Sequence, residues 1–278
     1  MAKKPTRKDQ EALDRAQDIA FDAWDATAPS KRRALAEKAL AISPLCADAW
    51  GILAQLSEAG SDDELEYWRR AVEAGKSALG DSFEEMVGEF WGWMETRPYM
   101  RARQGLARAL WQRGLRDEAT DHLKDMLRLN PNDNQGVRYA LIAHLAETDD
   151  HKAITDLRDA YPEEDMAMWA WPLALAAFRR SGDAAESRKA LDDAMASNAH
   201  VPAYLLGRKK LPKRQPVYYG YGDQNEAVLY VVEFGDAWSV AARALQWLER
   251  HVPAKTRSGR GVRVKLEGIA GDQPAGDE

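Results

Sequence analysis

Arg101, Gln104, Arg108 and Trp111 stand at i, i+3, i+7 and i+10, the spacing that lays side chains down one face of an α-helix. Equivalent positions further along hold Gln135, Arg138, Ile142 and Leu145, then Trp169, Pro172, Ala176 and Arg179, with Arg180 alongside. A guanidinium is a planar fork that grips a carboxylate through two parallel hydrogen bonds, and a tryptophan beside it offers an apolar anchor. The segments that carry these residues, "RARQGLARALWQR", "QGVRYALIAHLAE" and "WAWPLALAAFRRS", contain a single acid, Glu147, whereas residues 116–129, 150–161 and 183–195 contain eleven. Arg101, Arg108, Arg138, Arg179 and Arg180 are therefore expected to lack balancing carboxylates and to face an acidic ligand. The candidate binding residues are Arg101, Gln104, Arg108, Trp111, Arg138, Trp169, Arg179 and Arg180.

Other residue types point away from catalysis. No two of His122, His144, His151, His200 and His251 share the i, i+4 spacing that sets two metal ligands on one helical face. Cys46 is the single cysteine, which rules out an intrachain disulfide and reads as a small packed residue. "RSGRG" in the C-terminal stretch is glycine-rich but lacks the strand–turn–helix setting of a phosphate loop, and no nucleophile elbow occurs. No enzymatic activity, metal or cofactor is expected.

These side chains sit in a chain of 278 residues with 45% hydrophobic content and a net charge of −6, enough apolar surface for a sizeable core. The acidic balance argues against wholesale nucleic-acid binding, so any basic site must be local. The start "MAKKPTRKDQ" is not followed by an apolar stretch, and no run approaches the ~18 apolar residues of a membrane span. A cytoplasmic protein without membrane contact is expected.

The elements that must position the arginines are helices. Alanine and leucine recur at helical spacing while glycine and proline cluster at boundaries, which predicts an all-α fold. An offset of 34 residues brings Gly114 onto Thr148 and Gly182, Ala119 onto Ala153 and Ser187, and Leu123 onto Leu157 and Leu191. The same offset takes Ala16, Ile19 and Ala20 onto Trp50, Leu53 and Ala54. About five units result, each a pair of short helices, with about twenty extra residues after the second. Proline in "ISP" and "LNP" cannot continue the helix before it, and the asparagines and aspartate of "NPNDN" can cap the next.

The period, the small residues at helix crossings and the terminal Asn-Pro resemble the tetratricopeptide repeat. "ETRPYMRARQGLARALW", "LNPNDNQGVRY", "VPAYLLGRKKLP" and "YGDQNEAVLY" further resemble bacterial tetratricopeptide proteins related to the C-terminal part of the suppressor of tumorigenicity 7 family, over roughly residues 30 to 250. The resemblance implies a right-handed helical-repeat solenoid and an interaction role, with the arginine-bearing face lining a concave groove. It carries over no catalytic residue. The chain lacks the membrane span of the eukaryotic relatives, so their location is not implied.

The expected organisation is a disordered N-terminus over 1–8, repeats over 9–201 with an extra segment around 79–99, a connection and capping helices over 202–253, and a disordered tail over 254–278. Within the extra segment Phe90, Trp91, Trp93 and Tyr99 should pack between the second and third units, and Arg97 and Arg103 should pair with Glu89 or Glu95. Asp223 should cap a helix after the "YYGYG" turn. The expected function is a non-catalytic adaptor that holds an acidic or acidic-hydrophobic segment of a protein partner. The alternative is an RNA-binding helical repeat that would use the same arginines on phosphates. On this reading Arg101 is a surface residue whose replacement by alanine should cost within about 0.5 kcal/mol.

Overall fold

The structure, a computed structural model, describes residues 6–148, 150–241, 243–252 and 263–265. It is all-helical apart from one short strand pair, and it divides between Val137 and Arg138 into two compact units.

The first unit contains α1 (Arg7–Asp25), α2 (Pro29–Ile42), α3 (Ala47–Gln55), α4 (Asp62–Leu79), α5 (Arg97–Gln112) and α6 (Arg116–Leu129). Helix α1 begins inside the stretch expected to be disordered. Thr6 Oγ1 accepts from the Asp9 amide while the Asp9 carboxylate accepts from the Thr6 amide, and this capping box fixes the first turn. Ser61 Oγ accepts from the Glu64 amide at the start of α4, and the Glu64 carboxylate accepts from the Gly60 amide. Each helix packs on the next, and α1, α3 and α5 also meet in series. Small residues set the closest crossings: a Cβ on Gly75 would lie 2.9 Å from the backbone of Tyr99, and one on Gly105 would enter the Trp68 ring. Leu65, Trp68, Leu106, Leu110 and Ala119 close the core there.

Between α4 and α5 the extra segment folds as three 3₁₀ turns, Gly80–Met86, Phe90–Gly92 and Met94–Thr96. Phe83 meets Phe90 and Tyr99 edge-on at 4.8 and 5.3 Å, and Gly88 N–H donates to the Leu129 carbonyl at the end of α6. Phe90 and Tyr99 are thus core, as their types suggest. Trp93 is not, being 46% exposed. The turn at 92–94 points its indole outward while its carbonyl accepts from Thr96 Oγ1.

The second unit contains α7 (Val137–Thr148), α8 (His151–Ala160), α9 (Ala167–Ser181), α10 (Ala185–Ser197), α11 (Val201–Leu205), β1 (Tyr218–Gly220), α12 (Gln224–Val240), α13 (Ala244–His251) and β2 (Arg263–Lys265). Asp150 caps α8 and Asp223 caps α12 through the Ala153 and Glu226 amides. Helices α12 and α13 both cover α9. Their seam is aromatic: Trp171 meets Trp238 at 5.8 Å, and Phe178 stacks on Trp247 at 4.6 Å. Trp238 Nε1 donates to the Tyr230 hydroxyl, which satisfies the one polar atom of each ring. β1 pairs antiparallel with β2, Tyr218 opposite Lys265 and Gly220 opposite Arg263. Arg263–Lys265 is the one described part of the stretch expected to be a disordered tail; the rest of that expectation lies outside the described residues, as do residues 1–5.

Ala119 and Ala153 share a column of the 34-residue offset, yet Ala119 is fully buried and Ala153 half-buried. Ala119→Leu should overpack the crossing and cost roughly 1 to 3 kcal/mol. Ala153→Leu, with room on its outer side, should cost less than half as much. Urea unfolding of both variants checks the difference.

Candidate functional site

Three of the five arginines expected to be free, Arg101, Arg138 and Arg180, are held by carboxylates that arrive from other elements. Arg101 on α5 donates from Nε and Nη2 to the two oxygens of Asp48 on α3, at 3.0 and 2.7 Å. Gln17 on α1 donates to the same carboxylate at 2.7 Å, and the guanidinium lies 4.9 Å from the Trp24 ring centre. Asp48 is only 4% exposed, so this is an internal pair and not a surface one. Among the first-unit candidates Gln104 accepts from Gln135 Nε2 at 3.1 Å, and half-buried Trp111 carries the Arg116 guanidinium over its ring at 3.8 Å. Arg108 is exposed and, among the described residues, meets no carboxylate.

In the second unit Arg138 donates to Glu164, in the connection between α8 and α9, at 2.6 and 2.8 Å. Tyr139 donates its hydroxyl to the other Glu164 oxygen at 2.8 Å and accepts from Arg138 at the same distance. Burial first, and then the Glu164 charge against the opposing pull of Arg138, pushes the Tyr139 hydroxyl above its ordinary pKa and keeps it a donor. Arg180 pairs with Glu186 on α10, Arg179 is half-buried, and Trp169 is buried with its ring edge-on to Tyr161. The expectation of an unbalanced arginine face is therefore corrected. Acids are missing from these helices in sequence because they are supplied across the packing: Asp48 from α3, Glu164 from a loop, Glu186 from α10.

Arg103 and Arg97 likewise find partners other than Glu89 and Glu95. Arg103 is buried and binds Asp125, the Tyr99 hydroxyl and His122 Nδ1. Arg97 donates to the Trp91 carbonyl at 3.2 Å and lies over its ring. His122 accepts from Arg103 and is pushed below the usual histidine pKa by burial and then by that cation. Burial raises the Cys46 thiol to about 12, so it is no thiolate nucleophile at neutral pH. Among the described residues no cluster of His, Cys, Asp or Glu could hold a metal ion, and no helix is long and apolar enough to cross a membrane.

What the sequence reading missed is a cleft of about 970 Å³ in the second unit, bounded by α8 and α10 with α9 as its floor. Ala170, Leu173 and Ala177, at i, i+3 and i+7, run along that floor half-buried, and Trp169 and Arg180 from the candidate set line it as well. Its rim carries Asp159, Glu164, Asp165, Glu186 and Asp193 against Arg158, Arg180 and Lys189. The signal in the sequence was a second apolar stripe on α9 besides the Trp171, Leu175 and Phe178 stripe that packs the core. No family model, curated protein or solved structure matches the chain.

Two consequences follow for stability. Arg101→Ala strips a buried carboxylate of its cation, and such a lesion costs about 3 to 5 kcal/mol, against the small loss expected of a surface residue; in an Asp48→Asn background the added loss should shrink to under half. Denaturant titration of the four-member cycle gives the coupling directly. Below pH of about 6.5 the unfolded chain takes up a proton that folded His122 resists, so its contribution is present above that pH and lost as pH falls toward the lowered folded value. The wild-type melting temperature should fall between pH 7 and pH 5 more steeply than that of His122→Gln, measured by circular dichroism.

Proposed function

We propose that this chain is a non-catalytic partner-binding scaffold of the tetratricopeptide kind, and that its ligand seat is the cleft over α9. The spacing of the helices supports the repeat reading. The second helix of each pair begins at Pro29, Asp62, Arg116, His151 and Ala185. Successive starts are 33, 54, 35 and 34 residues apart, and the one long step contains the extra 3₁₀ segment. Stacked helix pairs of one length bury a continuous core while leaving one face of each pair open to a partner. The resemblance to bacterial relatives of the suppressor of tumorigenicity 7 family points the same way.

The observation that carries the ligand seat is the half-exposed stripe Ala170, Leu173 and Ala177 at the bottom of an open cleft. Small side chains at helical spacing let another helix approach closely, and its apolar face would complete the burial of Ala170, Leu173 and Ala177. With Glu164, Glu186 and Asp193 held by Arg138, Arg180 and Lys189, the rim leaves Asp159 and Asp165 against Arg158, a small excess of acid that favours a ligand with a cationic flank. An acidic segment gripped by the arginine face remains a weaker version, since it rests on Arg108 with Trp111 once Arg101, Arg138 and Arg180 are paired. The RNA alternative on the same arginines weakens for the same reason.

Ala177→Trp should fill the cleft, and Arg108→Glu should reverse the exposed arginine. Affinity purification from the native cell, with wild type and both variants matched for melting temperature, discriminates. The cleft reading expects partners lost with Ala177→Trp and kept with Arg108→Glu. The reverse pattern restores the acidic segment, and identical partner sets for all three proteins would sink both.

A further inference from the structure

From Ala194 to Gly222 the chain contains no aspartate or glutamate, in a protein that carries 45 of them. Within this stretch lies the connection between α11 and β1, where residues 207–215, "GRKKLPKRQ", are exposed without a break. It holds five cations. Arg208 is drawn to Glu249 at 3.6 Å, and Lys209 sits 5.4 Å from the Tyr204 ring centre while its amide donates to the Ala203 carbonyl. Lys210, Lys213 and Arg214 make no ion pair among the described residues. Arg101, Arg103 and Arg138 are each answered by a carboxylate. Lys210, Lys213 and Arg214 are left in water.

Aromatic surface stands directly beside them. Tyr218 and Tyr221 are each 50% exposed, on either side of buried Tyr219, and Val217 is 67% exposed. Their positions are anchored. Asn225 Nδ2 donates to the Tyr218 carbonyl, the Gly220 amide donates to Asp223, and the Gly222 amide donates to the buried Glu226 carboxylate at 2.7 Å. Pro212 and Pro216 restrict the backbone of the connection, which lowers the entropy lost on binding. β1 is also paired with β2, a strand whose sequence is Arg-Val-Lys.

A string of unpaired cations tracks a phosphodiester backbone, and tyrosine rings at its edge accept unstacked bases. A duplex would satisfy the cations but leave the rings unused. An anionic bilayer would also attract the lysines, but it draws on inserted apolar side chains, and residues 207–221 expose only two large aliphatic ones, Leu211 and Val217. We propose that residues 207–221 form a contact surface for single-stranded nucleic acid, with Lys210, Lys213 and Arg214 on phosphates and Tyr218 and Tyr221 against bases. This site is separate from the partner cleft and goes beyond the scaffold reading, so either can fail alone.

The test uses the whole chain and fluorescence anisotropy of labelled oligouridylate, oligodeoxyuridylate and a mixed-sequence duplex, with phosphatidylserine vesicles in a parallel sedimentation assay. Both single strands should bind at about 50 mM salt, with the logarithm of affinity falling by about 0.7 per phosphate contact for each decade of salt. Lys210→Gln/Lys213→Gln/Arg214→Gln should weaken binding at least tenfold, by about three contacts' share of the slope. Tyr218→Ala/Tyr221→Ala should weaken single strands several-fold with the slope unchanged, a change that mere charge attraction would not produce. Preference between oligouridylate and oligodeoxyuridylate, which differ in the sugar alone, assigns RNA or DNA. The proposal is overturned by no binding at low salt, by unaltered binding of the triple variant, by tyrosine variants that bind single strands as wild type does, or by vesicle binding where the strands do not bind. All five positions are exposed, and unchanged melting temperatures confirm that binding and not folding has been altered.

Discussion

A carboxylate taken out of water must be met by donors, and two such groups organise this protein. Asp48 is 4% exposed and Glu226 fully buried. Leaving either unmatched would cost several kcal/mol, so the surrounding helices are constrained to bring donors to them. Asp48 receives Gln17 and the full fork of Arg101, which ties α1, α3 and α5 at one point. Glu226 receives the Ala167 amide at the start of α9, the Asn198 side chain at the end of α10 and the Gly222 amide of the turn after β1. Burial raises the pKa of Glu226, and those three donors act against the rise. The start of α9, the end of α10 and the turn after β1 are thereby pinned to one carboxylate.

The same constraint explains why the arginine face could not be read as available. Counting acids within a helix treats each element as if it were solvated alone, but a guanidinium is long enough to reach the carboxylate of another element. Arg138 illustrates the reach: its partner Glu164 is 26 residues away in sequence, and Tyr139 completes a closed ring of hydrogen bonds. The acid-rich helices have a local explanation as well. Asp125, Asp156 and Asp193 pair with Arg128, Lys152 and Lys189 on their own helices, an arrangement that helps keep each outer face soluble and adds only a few tenths of a kcal/mol.

Features governed by short-range chemistry were legible. Asp223 caps α12 and Asp133 accepts from the Val137 amide where α7 begins, as side chains of that type before a helix should. Buried Cys46 and the core positions of Phe90 and Tyr99 follow from residue type. Features set by what arrives from elsewhere were not. Trp93 differs from Phe90 by three positions, and only the 3₁₀ turn between them decides which ring is inside. The β1–β2 pair joins segments over forty residues apart, and no local pattern at Tyr218 announces it. The cleft was hidden because a stripe of Ala170, Leu173 and Ala177 looks like core until the neighbouring helices are seen not to cover it.

Net charge misleads for a related reason. A value of −6 summed over 278 residues describes the far field, whereas at physiological salt a bound chain senses charges within about 8 Å. Over that distance the exposed loop after α11 presents five cations with Glu249 drawn to Arg208 alone among them, and the α9 cleft presents a small excess of acids. The two surfaces belong to one compact unit and share the Glu226 node, yet they differ in sign and in the shape they accept. A polyanion suits the cations of the loop and not the acids of the cleft rim, a difference in local field that the overall charge of the chain does not show.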